Sequence, residues 1–130
     1  MIRLIYCCGC DAIVSARLTT GKDIYPHRED LHSLPFWICD SCKNYVGCHH
    51  KTKNRTRPLG CIPTPELKKE RIRLHSFLDP LWRGELNLSY DRKAIYKEIG
   101  DFIGYEFHVG ETKCLNEINM VIDFLLEKYY

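Results

Sequence analysis

The sequence predicts an α+β fold: a ribbon of short antiparallel strands pinned by four cysteines, packed on about three C-terminal helices. Three observations carry that expectation. Two CxxC pairs, Cys7–Cys10 and Cys39–Cys42, stand beside short β-prone runs. Beyond residue 64, apolar residues recur at intervals of three and four, the period of a helix. Between the halves, Pro58, Gly60, Pro63 and Pro65 mark a change of structure type. The expected division is a ribbon region with a basic loop over 1–62 and a helical region over 63–130. With 130 residues, two large independent cores are not expected, and the regions should form one cooperative domain.

Ile2 to Tyr6 and Ala12 to Leu18 read as the strands of a hairpin with the first cysteine cluster on its turn. Thr19 to Asp23 reads as a turn, and residues 24–35, with Pro26 and Pro35, as an irregular connection. Phe36-Trp37-Ile38 enters the second cluster as a strand, and Tyr45-Val46 leaves it as another. Lys51 to Pro65 reads as loop.

Thr64, Pro65 and Glu66 form a helix start: a capping hydroxyl, a proline at the first helical position and an acid in the first turn. Pro80 is the expected end of this helix. Its inward face holds Leu67, Leu74, Phe77, Leu78 and Leu81, and Arg71, His75 and Asp79 form a polar stripe beside it. A second helix is expected from an Asp91 cap to Ile103, with Ala94, Ile95, Ile99 and Phe102 inward and Gly104 as the stop. A third follows Thr112, with Leu115, Ile118, Val121, Ile122, Leu125 and Leu126 as its apolar stripe.

Hydrophobic residues make up 45% and charged residues 28%, the balance of a soluble globular protein, and no apolar run is long enough to span a membrane. MIRLIYCCGC lacks the apolar core and cleavage site of a secretory signal. Eight cysteines without such a signal point to the reducing cytoplasm, where CxxC pairs serve as metal ligands or redox pairs more often than as disulfides. Cytoplasmic location, in a bacterium or a phage-infected host, is the expectation.

Each CxxC turn places two thiolates on one side, and two such knuckles face to face complete a tetrahedral shell of Cys7, Cys10, Cys39 and Cys42. Zn²⁺ suits four soft thiolates without a redox role, although an iron–sulfur cluster uses the same donors. Cys8 competes with Cys7, and the two-residue spacing favours Cys7. A thioredoxin-like pair would need a helix start after a CxxC, whereas here both pairs adjoin β-like runs. Cys48, Cys61 and Cys114 read as small buried hydrophobes.

Several further stretches recur in a known order: Phe36-Trp37-Ile38-Cys39, Tyr45-Val46-Gly47-Cys48-His49, Pro58-Leu59-Gly60, Arg71 with His75, Phe77 to Trp82, Arg92 with Tyr96, and His108-Val109-Gly110 before Cys114. Together with Cys7-Cys8-Gly9-Cys10, they make the chain resemble a bacterial and phage family of small zinc-finger-containing proteins with no established activity. The resemblance runs nearly end to end and implies a metal-stapled ribbon with helices. The knuckles are also similar to the zinc ribbons of type IA topoisomerases, which bind single-stranded DNA. Asp11 stands where such a knuckle usually has glycine, and His50, Cys61 and the basic run are particular to this chain.

Charge is uneven. Residues 43–73 hold nine Lys or Arg against Glu66 and Glu70, a net of +7, while 98–130 hold seven acids against Lys113 and Lys128, a net of −5. The first functional expectation is a nucleic-acid-binding module of phage or mobile-element origin with structural zinc. Lys43, Lys51, Lys53, Arg55 and Arg57 would meet the phosphates of a nucleic acid, a single strand included, and Tyr45, Phe36 and Trp37 would stack on bases. A packing role for Trp37 competes with stacking. The second is a metal-assisted nuclease or hydrolase using His49, Arg71, His75, Asp79 and His108, against which stands an intrahelical ladder of Arg71, His75 and Asp79. The third is an accessory factor that binds a host enzyme. A non-enzymatic role is favoured.

Overall fold

Four strands form one antiparallel sheet in the order β1-β2-β3-β4 in the computed structural model, which describes residues 1–84 and 90–130. β1 (Ile2–Cys7) and β2 (Ala12–Thr20) are the expected hairpin, paired from Ile2 opposite Arg17 to Cys7 opposite Ala12. β3 (Pro35–Ile38) pairs with the far end of β2, and β4 (Tyr45–Gly47) with β3. A row of directly opposed residues, Leu18, Trp37 and Val46, crosses the last three strands. Ile5 opposite Val14 extends the same apolar face, because period-2 alternation keeps one side of every strand inward.

Beyond β2 the chain makes a one-turn helix, α1 (Gly21–Ile24), and a 3-10 turn at Glu29–Leu31 before re-entering the sheet. Gly21 is obligatory there. A Cβ would lie 1.8 Å from the carbonyl oxygen of Leu31, so only glycine lets the connection fold back this tightly.

The chain divides into two compact units, Met1–Pro65 and Glu66–Tyr130. The first has a core of Ile5, Cys7, Ala16, Trp37, Cys39, Val46, Cys48 and Ile62, with Cys10 and Cys42 packed against it. The candidate ligand thiols are thus part of the hydrophobic core itself.

The second unit contains α2 (Pro65–Trp82), α3 (Arg92–Ile103) and α4 (Leu115–Tyr129), completing the α+β fold. Leu74, Leu78, Leu81, Ile95, Ile99, Ile118, Val121 and Leu125 are buried almost completely. The Asp91 carboxylate accepts from the Ala94 amide at 3.1 Å and Gly104 closes α3 at φ 90°, as its sequence punctuation predicts.

Four expectations are corrected. α2 does not stop at Pro80 but runs through it to Trp82. So close to the helix end, a missing N–H removes a single intrahelical bond, and the Arg83 amide still reaches the Asp79 carbonyl at 3.1 Å. Ala94 and Phe102 are exposed rather than inward, and Phe102 stacks on Phe124 of α4 with centroids 4.7 Å apart. Leu115 and Leu126 are exposed, so the buried stripe of α4 narrows to Ile118, Val121, Ile122 and Leu125. Cys114 is exposed at the start of α4, unlike buried Cys48 and Cys61.

Candidate metal centre and basic loop

Cys7 ends β1 and Cys10 lies on the turn that follows it, while the turn between β3 and β4 carries Cys39 and Cys42. Their sulfur atoms lie within 4.8 Å of one another. Cys7 Sγ is 3.4 Å from Cys42 Sγ, and Cys10 Sγ is 3.7 Å from Cys39 Sγ. A tetrahedral zinc with Zn–S bonds of about 2.3 Å requires S–S edges of about 3.8 Å. The four thiols already stand nearly at that spacing, and a donor set of sulfur alone matches zinc.

Both knuckles use the same backbone device. Asp11 and Lys43, each directly after the second cysteine of its pair, are the two non-glycine positions with positive φ among the described residues, at 51° and 65°. The Lys43 amide donates to the Cys39 carbonyl at 2.7 Å, and the Cys39 amide to the Asn44 carbonyl at 2.8 Å. These left-handed residues reverse the chain so that amides turn toward sulfur. Asp11 receives the hydroxyl of Tyr6, and Lys43 lies 3.5 Å from Asp40, itself held by Arg17 at 2.9 Å.

The thiols are unequal. Burial pushes Cys7 up, and the hydrogen bond with Cys39, reinforced by burial, pushes Cys10 up to about 12. Burial acts upward on Cys39 as well, but the amides of Cys42 and Ser41 overcome it and bring this thiol down to about 7. A divalent metal removes the cost of crowding thiolates together, since its charge offsets theirs.

The remaining cysteines fall outside this group. Cys8 and Cys61 face each other with sulfurs 3.8 Å apart, across a parallel bridge in which the Cys8 amide reaches the Ile62 carbonyl at 2.8 Å. Residues 53 positions apart carry no local signal for such a pair, and the sequence did not reveal it. Burial pushes the Cys48 thiol up.

From Cys48 the chain leaves β4 into the basic run and returns at Pro58, which bridges Cys48 in antiparallel fashion. His49 holds the base of this loop through its backbone. Its amide donates to the Arg57 carbonyl at 2.8 Å, and its carbonyl accepts the Thr52 hydroxyl at 2.7 Å. Trp37, 1% exposed, donates its indole N–H to the Thr56 carbonyl at 2.6 Å. Trp37 therefore packs in the core and anchors the loop rather than offering a stacking face. Lys51, Lys53, Arg55 and Arg57 are all exposed and make no ion pair among the described residues. Phe36 and Tyr45, both half-buried, join Tyr25 in a triad of edge-to-face rings with centroids 5.6–5.9 Å apart.

In the second unit, His75 Nδ1 lies 3.1 Å from Asp79, which also faces Arg83 at 3.8 Å. Arg71 does not join that stripe: it is buried and its Nε donates to the Thr112 hydroxyl at 3.1 Å, with a second bond to the Thr112 carbonyl. His108 Nε2 lies 3.3 Å from Glu106. Among the described residues, the group of three or more metal-ligating side chains with donors in mutual reach is the four cysteines.

No helix is long and apolar enough to cross a membrane among the described residues. Compared with known proteins, residues 2–118 match a family model described as a zinc-finger-containing domain. Neither the curated proteins nor the solved structures contain a match.

Proposed function

Because the chain belongs to the zinc-finger-containing family, whose model spans residues 2–118, we propose that Met1–Pro65 is a nucleic-acid-binding module in which zinc is structural. The observation that carries this reading is the basic loop. Four exposed cations within seven residues make no ion pair among the described residues, on a loop tied to the metal-stapled core by Trp37 and His49. Such a surface meets a phosphate backbone by displacing its counterions. The half-buried Tyr25–Phe36–Tyr45 triad adds aromatic surface on the same unit. Four thiolates fill a tetrahedral shell, which leaves no position for a catalytic water.

The nuclease alternative has less support, since His75 and His108 each sit with a carboxylate of their own. The test is fluorescence anisotropy of the zinc-loaded protein with single- and double-stranded oligonucleotides across a salt series. Affinity should fall as salt rises, and each Lys or Arg of 51–57 replaced by Gln should lower the slope of log K against log salt by about 0.7–0.9. Binding indifferent to salt, or unchanged when all four are replaced, overturns the reading.

A further inference from the structure

The helical unit contains an open cleft of about 690 Å³ between α3 and the segment 104–108. Gly104, at φ 90°, turns the chain back, and Gly100 lets the returning backbone run close to α3. A Cβ at Gly100 would stand 3.0 Å from the Tyr105 carbonyl oxygen. The volume is that of a small-molecule site.

Its walls combine two chemistries. Arg92, Lys93 and Lys97 line it on the α3 side, and none of them has an ion-pair partner among the described residues. The guanidinium of Arg92 lies over the Tyr96 ring at 4.2 Å and faces the Trp82 ring at 5.6 Å. Stacking fixes the plane of the fork and leaves its N–H edge to grip an oxyanion in two places. Opposite stand aromatic rings. Phe107 is buried against Tyr96 at 5.4 Å, whereas the Tyr105 ring is exposed and held by its hydroxyl to Glu117. Of the lining acids, Glu106 is engaged by His108, which leaves Asp101 against three cations.

We propose that this cleft binds a nucleoside phosphate, the phosphate held by Arg92, Lys93 and Lys97 and the base stacked on Tyr105. Unpaired cations alone would suit any anion. An exposed aromatic ring fixed at its far end, in a cleft larger than a phosphate needs, selects an anion that carries a flat ring. The site lies wholly within Glu66–Tyr130, whereas the basic loop belongs to Met1–Pro65.

The experiment is a titration of the zinc-loaded, ¹⁵N-labelled full chain with AMP, with inorganic phosphate and adenosine as separate arms. AMP should give saturable shifts at 92–97 and 104–108, and phosphate and adenosine should each bind roughly tenfold more weakly, about 1.4 kcal/mol. The double variant Lys93→Gln/Lys97→Gln, at exposed positions, should weaken AMP about tenfold with its spectrum otherwise intact, and Tyr105→Ala should weaken AMP more than phosphate. Shifts that stay linear to about 10 mM, that map to 51–57, or that survive the double variant overturn the site. Equal affinity for phosphate and AMP overturns the nucleoside. Oligonucleotide binding by the loop should be unaffected by the Lys93→Gln/Lys97→Gln pair, so the two readings fail separately.

Discussion

The indole N–H of Trp37 donates a 2.6 Å hydrogen bond to the carbonyl oxygen of Thr56, which ties the centre of the sheet core to the returning arm of the basic loop. Trp37→Phe keeps an aromatic ring in the core and removes the donor, stranding that carbonyl at a cost of about 1–3 kcal/mol. Amide exchange across 50–57 should accelerate, and oligonucleotide affinity should fall several-fold. Hydrogen-exchange mass spectrometry reads the first effect directly; unchanged protection there would mean that the loop is held by His49 alone.

Metal stoichiometry should separate the eight cysteines into two classes. Native mass spectrometry should find about one zinc per chain, lost in Cys7→Ser, Cys10→Ser, Cys39→Ser and Cys42→Ser. Cys8→Ser, Cys48→Ala, Cys61→Ser and Cys114→Ser should keep it. Chelation should collapse the amide dispersion of residues 1–62, because metal binding supplies about 10–16 kcal/mol of apparent folding free energy in such modules.

At Lys43, two substitutions should act in opposite directions. Its φ of 65° costs an L-residue about 1–2 kcal/mol, which Lys43→Gly relieves. Loss of the exposed contact to Asp40 offsets little of that. Lys43→Val, β-branched in a left-handed position, should instead destabilise. Melting of the zinc-loaded variants should rank Gly above the natural chain and Val below it.

On α2, Arg71→Ala and His75→Ala should differ sharply. Arg71 is buried on Thr112, so its loss removes two buried charge-assisted hydrogen bonds and the packing of its side chain and should cost about 2–4 kcal/mol. His75 is exposed, and its removal should change stability by about 0.5 kcal/mol or less. Denaturant melts measure both, and an intact nuclease activity in His75→Ala would remove that histidine from catalysis.

Features with a local cause were readable beforehand. Each CxxC and the β-prone runs beside it specify a knuckle within a few residues, and Asp91 and Gly104 delimit α3 by capping chemistry alone. Pro80 misled because a proline's effect depends on how much helix remains beyond it. Phe102 misled because period places a residue on a face but does not say how far a neighbour covers that face; its partner Phe124 stacks on it in the open.

By itself the sequence determined the strands, the three C-terminal helices, the four candidate ligands and the charge of the loop, all of them set by periodicity, spacing and turn chemistry within short windows. Only the tertiary structure decided that Trp37 anchors the loop, that Cys8 meets Cys61, that Arg71 turns inward to Thr112 and that Arg92 lies in a cleft across from Tyr105. These partners are separated by 13 to 53 positions, counted from the residue numbers. Such pairs form when packing brings two elements together, and nothing in the local sequence of either element records which residue the other will present.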